Sequence, residues 1–147
     1  MSGNEIEILL VEDNPDDLDM TLRALRKANL ANRIQIARDG VEALDFIFGE
    51  GAHAGRQVEH GPKMILLDLK LPRIDGMEVL KRLKSDPRTK MIPVVALTSS
   101  KEQKDMVESY QLGVNSYIVK PVNFDRFATA VAELGMYWLL LNQTTQP

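Results

Sequence analysis

The sequence predicts a doubly wound α/β domain built on a five-stranded parallel sheet. Three observations predict it. Five short apolar runs alternate in strict order with longer amphipathic stretches, the pattern of repeated strand–crossover–strand units. One run, Met64-Ile65-Leu66-Leu67, is apolar without interruption, as a central strand covered on both faces should be. The chain has 147 residues, the size of one hydrophobic core, so residues 1–147 are expected to form a single domain.

Each element has a local reason. Ile6 to Val11 reads as a buried strand. Asn14-Pro15 then supplies a helix cap and a proline at the first helical position. Leu18, Leu22 and Leu25 repeat along one face of a helix that should run to about Asn29. Ile34 and Ile36 mark a short second strand, and Asp39-Gly40 opens a helix carrying Val41, Leu44, Ile47 and Phe48. Gly49 to Lys63 follows as a long, glycine-containing connection, about 15 residues against a usual 2–6. Its two histidines, His53 and His60, are expected to be solvated, because a flexible loop is a poor cage for a metal. The third strand ends at Asp68, and Met77, Leu80 and Leu83 mark a helix that Asp86-Pro87 stops. Pro93 to Leu97 is a strand ending at Thr98, and Glu102 to Leu112 is a weaker helix closed by Gly113. Tyr117-Ile118-Val119 is the last strand, ending at Lys120-Pro121. Phe124, Phe127, Val131, Leu134, Trp138 and Leu141 mark a final helix to about residue 141.

Composition narrows the function classes. Net charge is −3, which argues against a nucleic-acid partner, since that usually needs a basic face. There is no cysteine, so disulfides and thiolate metal sites are excluded. No run approaches the roughly 18 apolar residues of a membrane span. The polar start, Met1-Ser2-Gly3-Asn4-Glu5, lacks the order of a signal peptide, and a cytoplasmic location is expected.

In an open α/β sheet, ligands bind outside the carboxyl ends of the strands. Those ends carry Glu12 and Asp13, then Asp68, then Thr98 with Ser99 and Ser100, then Lys120. Three carboxylates brought together repel one another, and a hard divalent cation with oxygen ligands removes the conflict. Magnesium, or manganese, suits such a set. Lys120 offers a compact positive charge for a phosphoryl oxygen, and Thr98 a hydroxyl donor. No GxxxxGK[ST] nucleotide cradle occurs, so a side chain must be the nucleophile of any phosphoryl chemistry, and Asp68 is the candidate. Asp16 and Asp17 read as first-turn acids favouring the helix dipole rather than as ligands.

At this point the sequence resembles the receiver domain of two-component response regulators. The matching pieces are Ile8-Leu9-Leu10-Val11-Glu12-Asp13-Asn14, Ile65 to Pro72 with Asp75-Gly76, Ala96-Leu97-Thr98-Ser99, and Tyr117-Ile118-Val119-Lys120-Pro121. They occur in the family's order and span a core of about residues 5–135. The resemblance implies a flavodoxin-like (βα)5 fold with strand order 2-1-3-4-5. It implies Asp68 as phosphoacceptor from a sensor histidine kinase. Asp13 would bind magnesium directly, Glu12 through water, and the Lys70 main-chain carbonyl would complete the shell. Thr98 and Lys120 would bind phosphoryl oxygens, and Tyr117 would be the aromatic switch that turns inward when Thr98 moves. Pro121 would follow a cis peptide bond. The long connection and the acidic Asn14 to Asp17 turn are also similar to the stand-alone regulators that partner bacterial phytochromes. The chain ending near residue 147 then leaves no room for an output domain. Output would pass through protein contacts, or through the phosphoryl group as in a multistep relay.

The apolar crowding of Met136, Tyr137, Trp138 and Leu140 on the last helix suggests a homodimer through that side. Other functions fit less well. A metal-dependent phosphatase of the haloacid dehalogenase kind needs an acid two residues after the nucleophile, where this chain has Lys70. A flavin module would find its phosphate repelled by Glu12, Asp13, Asp16 and Asp17. A receiver that is never phosphorylated would not need competent residues at all five site positions.

Overall fold

The computed structural model describes residues 6–30, 33–109 and 111–136. The five strands are β1 (Ile8–Val11), β2 (Ile34–Ala37), β3 (Met64–Asp68), β4 (Val94–Thr98) and β5 (Ser116–Val119). The helices are α1 (Pro15–Lys27), α2 (Gly40–Phe48), α3 (Gly76–Ser85), α4 (Lys101–Ser109) and α5 (Phe124–Glu133). All strand pairs are parallel, in the order β2-β1-β3-β4-β5.

Strand parity sorts the core into two layers. Ile8, Leu10, Met64, Leu66, Val95 and Leu97 point to one face and pack with Leu25 of α1 and Phe127 and Val131 of α5. Leu9, Val11, Ile65 and Leu67 point to the other, against Leu44 and Ile47 of α2 and Val79, Leu80 and Leu83 of α3. Successive side chains of a strand point to opposite faces, so a strand buried on both must be apolar throughout. Every residue of β1 and of β3 is buried.

Two expectations need correction. The final helix does not continue to residue 141 as far as it is described: α5 ends at Glu133. Gly135 takes a left-handed φ of 70°, and Met136 N–H donates to the Val131 carbonyl at 3.0 Å while Gly135 N–H donates to Ala132 at 3.0 Å. This pair of bonds is a glycine stop that closes the helix, and it tucks the residue after the glycine back onto the last turn. Met136 is accordingly buried in its own chain's core, not displayed for a partner. Tyr137, Trp138, Leu140 and Leu141 lie outside the described residues.

The connection from Gly49 to Lys63 is also not featureless. It holds two short 3-10 turns, Gly51–His53 and Val58–His60, and buries Val58. Arg56 stacks 3.7 Å from the Phe46 ring centroid and donates from Nε to the Phe46 carbonyl at 3.1 Å. His53 meets the same ring edge-on at 5.1 Å, so it is a packing residue, whereas His60 is exposed. The long apolar arm of Arg56 explains how a polar loop stays anchored.

Candidate functional site

The register of the sheet brings the predicted residues to one edge. Val11 pairs with Leu67, so Glu12 is level with Asp68. Asp68 pairs with Leu97, so Thr98 lies one step beyond it. Thr98 pairs with Val119, and Lys120 follows. By parity, Glu12, Asp68 and Lys120 share the sheet face covered by α1 and α5. Thr98 follows Leu97 and belongs to the opposite face.

That division is visible in the contacts. Lys120 Nζ lies 2.9 Å from Glu12 Oε1, 3.0 Å from Asp17 Oδ2 and 3.0 Å from Asp68 Oδ2. Thr98 Oγ1 is buried and has no hydrogen-bond partner among the described residues. A buried hydroxyl without a partner is costly, which marks Thr98 as a group waiting for an acceptor. Glu12 is fully buried, and burial raises its carboxyl to about 7, with neighbouring Asp68 pushing the same way and Lys120 opposing. Burial would lower the Lys120 ammonium, but Glu12, Asp17 and Asp68 outweigh it and hold the group above its usual range.

Local chemistry fixes each acid. Asn14 caps α1 by accepting from Asp16 N–H and Asp17 N–H, both at 2.9 Å, and its own N–H donates to Glu12 Oε2 at 3.1 Å. Asp68 Oδ1 accepts the Lys70 N–H at 3.0 Å, while the Lys70 side chain is exposed. Gly76 opens α3 against the Asp68 carbonyl, where an added Cβ would collide with backbone. Ser99 N–H donates to Gln103 Oε1 at 2.7 Å, and Gln103 N–H donates to Ser100 Oγ at 3.1 Å. Tyr117 packs beside Leu69, Ala96 and Val107, with Lys104 Nζ 5.5 Å from its ring centroid. The Lys120–Pro121 peptide is cis.

The residue missed by sequence reading is Asp17, which is more than a helix-dipole acid. Its signal was present: Thr21 and Ala24, four and seven residues later, are buried, so Asp17 starts the inward side of α1. The leucine stripe alone pointed slightly away from it.

A carboxylate oxygen from each of Glu12, Asp13 and Asp68 lies within 4.8 Å of the others. Among the described residues, three carboxylates, Glu12, Asp17 and Asp68, share the one ammonium of Lys120, and Asp13 adds a further acid beside Glu12 and Asp68. Oxygen donors this close, with acid in excess, fit a hard divalent cation.

Comparison with known proteins decides the family. The model of the response regulator receiver domain matches residues 8–132. The chain belongs to the response regulator receiver family. This receiver is 42% identical over 141 residues to the probable methanogenesis regulatory protein FilR2 of Methanothrix harundinacea, covering 95% of this chain and 88% of that one. It is 51% identical to the solved bacteriophytochrome response regulator AtBRR, with a TM-score of 0.84, covering 93% of this chain and 97% of that one. The Mn2+-bound form of response regulator Rcp1 is 37% identical, with a TM-score of 0.71 and coverage of 91% and 94%. The receiver is thus similar to a bacteriophytochrome response regulator and to a response regulator solved with Mn2+ bound. No helix among its described residues is long and apolar enough to cross a membrane.

Proposed function

We propose that the receiver accepts a phosphoryl group from a sensor histidine kinase onto Asp68. The observation that carries this reading is the ammonium of Lys120, 3.0 Å from Asp68 Oδ2 and beside three converging carboxylates. An Asp68 carboxylate oxygen forms a bond to phosphorus while the bond from phosphorus to the kinase's imidazole nitrogen breaks, imidazole leaving with the electron pair. Lys120 passes the hydrogen bond it gives Asp68 to a phosphoryl oxygen, and Thr98 turns its unpartnered hydroxyl to another. Magnesium, held by Asp13, Asp68, the Lys70 main-chain carbonyl and, through water, Glu12, would neutralise charge on the same phosphoryl oxygens. Movement of Thr98 leaves space toward which Tyr117 turns, and this changes the surface offered to partners. The receiver is a signalling switch whose own chemistry is confined to its phosphorylation and hydrolysis.

Incubation with acetyl phosphate and magnesium is the test. The native chain should acquire base-labile label, and Asp68→Asn should acquire none. Label retained in the folded variant would refute the assignment of Asp68. The similarity to the bacteriophytochrome response regulator AtBRR supports a bacterial phytochrome as the kinase, and the net charge of −3 supports a partner other than nucleic acid. Transfer from a phytochrome kinase faster than from unrelated kinases would support that pairing, and equal rates would refute it.

The homodimer remains a proposal resting on Tyr137, Trp138 and Leu140, since Met136 is buried in its own chain. Light scattering at micromolar concentration should give twice the chain mass. A monomer with and without a phosphoryl mimic would overturn it.

A further inference from the structure

Lys120 is the hub of the site: its ammonium donates to Asp17 Oδ2 and to Asp68 Oδ2, both at 3.0 Å, and lies 2.9 Å from Glu12 Oε1 as an ion pair without a hydrogen bond. Its partners are not equivalent. Glu12 and Asp68 belong to the trio whose oxygens lie within 4.8 Å of one another, and Asp17 does not. Any cation shared by that trio draws on Glu12 and Asp68 and loosens their hold on Lys120. Asp17 reaches the ammonium from a different element, the first turn of α1. Its backbone there is held by Asn14 Oδ1 at 2.9 Å, and its carbonyl accepts Thr21 Oγ1 at 2.9 Å.

We infer that Asp17 is a positioning residue for phosphoryl transfer, anchoring the Lys120 ammonium over Asp68 while the other two carboxylates serve the metal. The inference rests on the proposed role of Asp68 as acceptor. As the Asp68 oxygen bonds to phosphorus and the donor's leaving group departs with its electron pair, the N–H released by Asp68 moves to a phosphoryl oxygen. Asp17 keeps the ammonium from swinging toward solvent during that exchange. The side chain of Asp17 is 31% exposed against 15% for Lys120, so the anchor sits at the rim of the site with the ammonium inside. Asp16, exposed and adjacent, carries the same charge without a place in this contact.

The test measures two quantities on each variant of the full chain: the initial rate of acetyl phosphate labelling at saturating magnesium, and Mn2+ affinity by electron paramagnetic resonance. Asp17→Ala should label about tenfold more slowly, because a misplaced catalytic group lowers the rate without altering what it reacts with. Its Mn2+ affinity should stay within about twofold. Asp17→Asn retains an acceptor oxygen and should recover part of the rate. Asp16→Asn removes a charge from the same turn and should match the native chain in both measurements. Native labelling by Asp17→Ala overturns the inference. So does a parallel loss of Mn2+ affinity, which would make Asp17 a ligand, or an equal effect of Asp16→Asn, which would make the effect one of bulk charge. Asp68→Asn is measured alongside. Label surviving there would defeat the acceptor assignment, whereas its loss with native labelling by Asp17→Ala would defeat only the positioning role.

Discussion

Lys120→Met should lower the initial rate of acetyl phosphate labelling by about two orders of magnitude, the usual loss when one preorganised donor to a developing oxyanion is removed. Methionine keeps most of the apolar stem and deletes only the charge and its three donors. Among the described residues, Lys120 is the cation paired with Asp68, at 3.0 Å, so its loss should not be made good by a neighbour. The same substitution leaves Glu12, Asp17 and Asp68 without their shared ion pair. The ammonium is mostly buried and Glu12 entirely so, and metal-free stability should therefore fall by about 3 kcal/mol. Added magnesium should restore part of that stability, since it supplies positive charge to the same carboxylates, without restoring the rate. Urea unfolding with and without magnesium, beside the labelling assay, separates the two effects. Labelling within tenfold of native in a folded Lys120→Met chain would remove Lys120 from the chemistry.

The fold was legible because parallel strands buried on both faces leave an uninterrupted apolar signature, and Met64 to Leu67 shows it most clearly. The site was legible for a related reason. A polar residue directly after such a run must sit at the sheet edge, and register then sets the order of Glu12, Asp68, Thr98 and Lys120 along it. What periodicity could not give was the end of α5. The apolar stripe continues past Leu134, but Gly135 costs little in the left-handed region and the chain turns there. Periodicity reports which residues seek burial, and a glycine decides whether they reach it along one helix. Nor could spacing rank Asp16 against Asp17. One residue is about 100° on a helix, enough to separate a solvated acid from one in contact with Lys120. The loop from Gly49 to Lys63 was opaque because its order comes from the stacking of Arg56 on Phe46, ten residues away, which no local pattern announces.

Glu12→Gln should be more stable than the native chain when divalent ions are absent and the pH is high. Burial raises the Glu12 carboxyl from an ordinary 4.5 to about 7 in the folded state. Below pH 4.5 folded and unfolded chains both carry the proton, and the favourable contribution of the neutral group is complete. Between pH 4.5 and 7 the unfolded chain has lost that proton while the folded chain retains it. Stability therefore declines as pH rises, by up to about 1.4 kcal/mol per pH unit, and levels off above about 8. Glutamine stands in for the neutral form at every pH. Its advantage should be small at pH 5 and reach about 2–3 kcal/mol at pH 8, measured by urea unfolding in chelator. A divalent ion should reverse the ranking, because the native site gains an anionic ligand that the amide cannot replace. For the same reason, native Mn2+ affinity should climb as pH rises toward 7, each ion displacing the Glu12 proton, and the variant should lack that part of the climb. If Glu12→Gln were less stable than native at pH 8 without metal, the Lys120 contact would outweigh burial, and Glu12 would be a structural ion-pair partner. If the ranking instead inverts with metal as described, the native glutamate lowers metal-free stability in exchange for a charge that only a bound cation uses. That is the behaviour expected of a residue kept for binding rather than for folding.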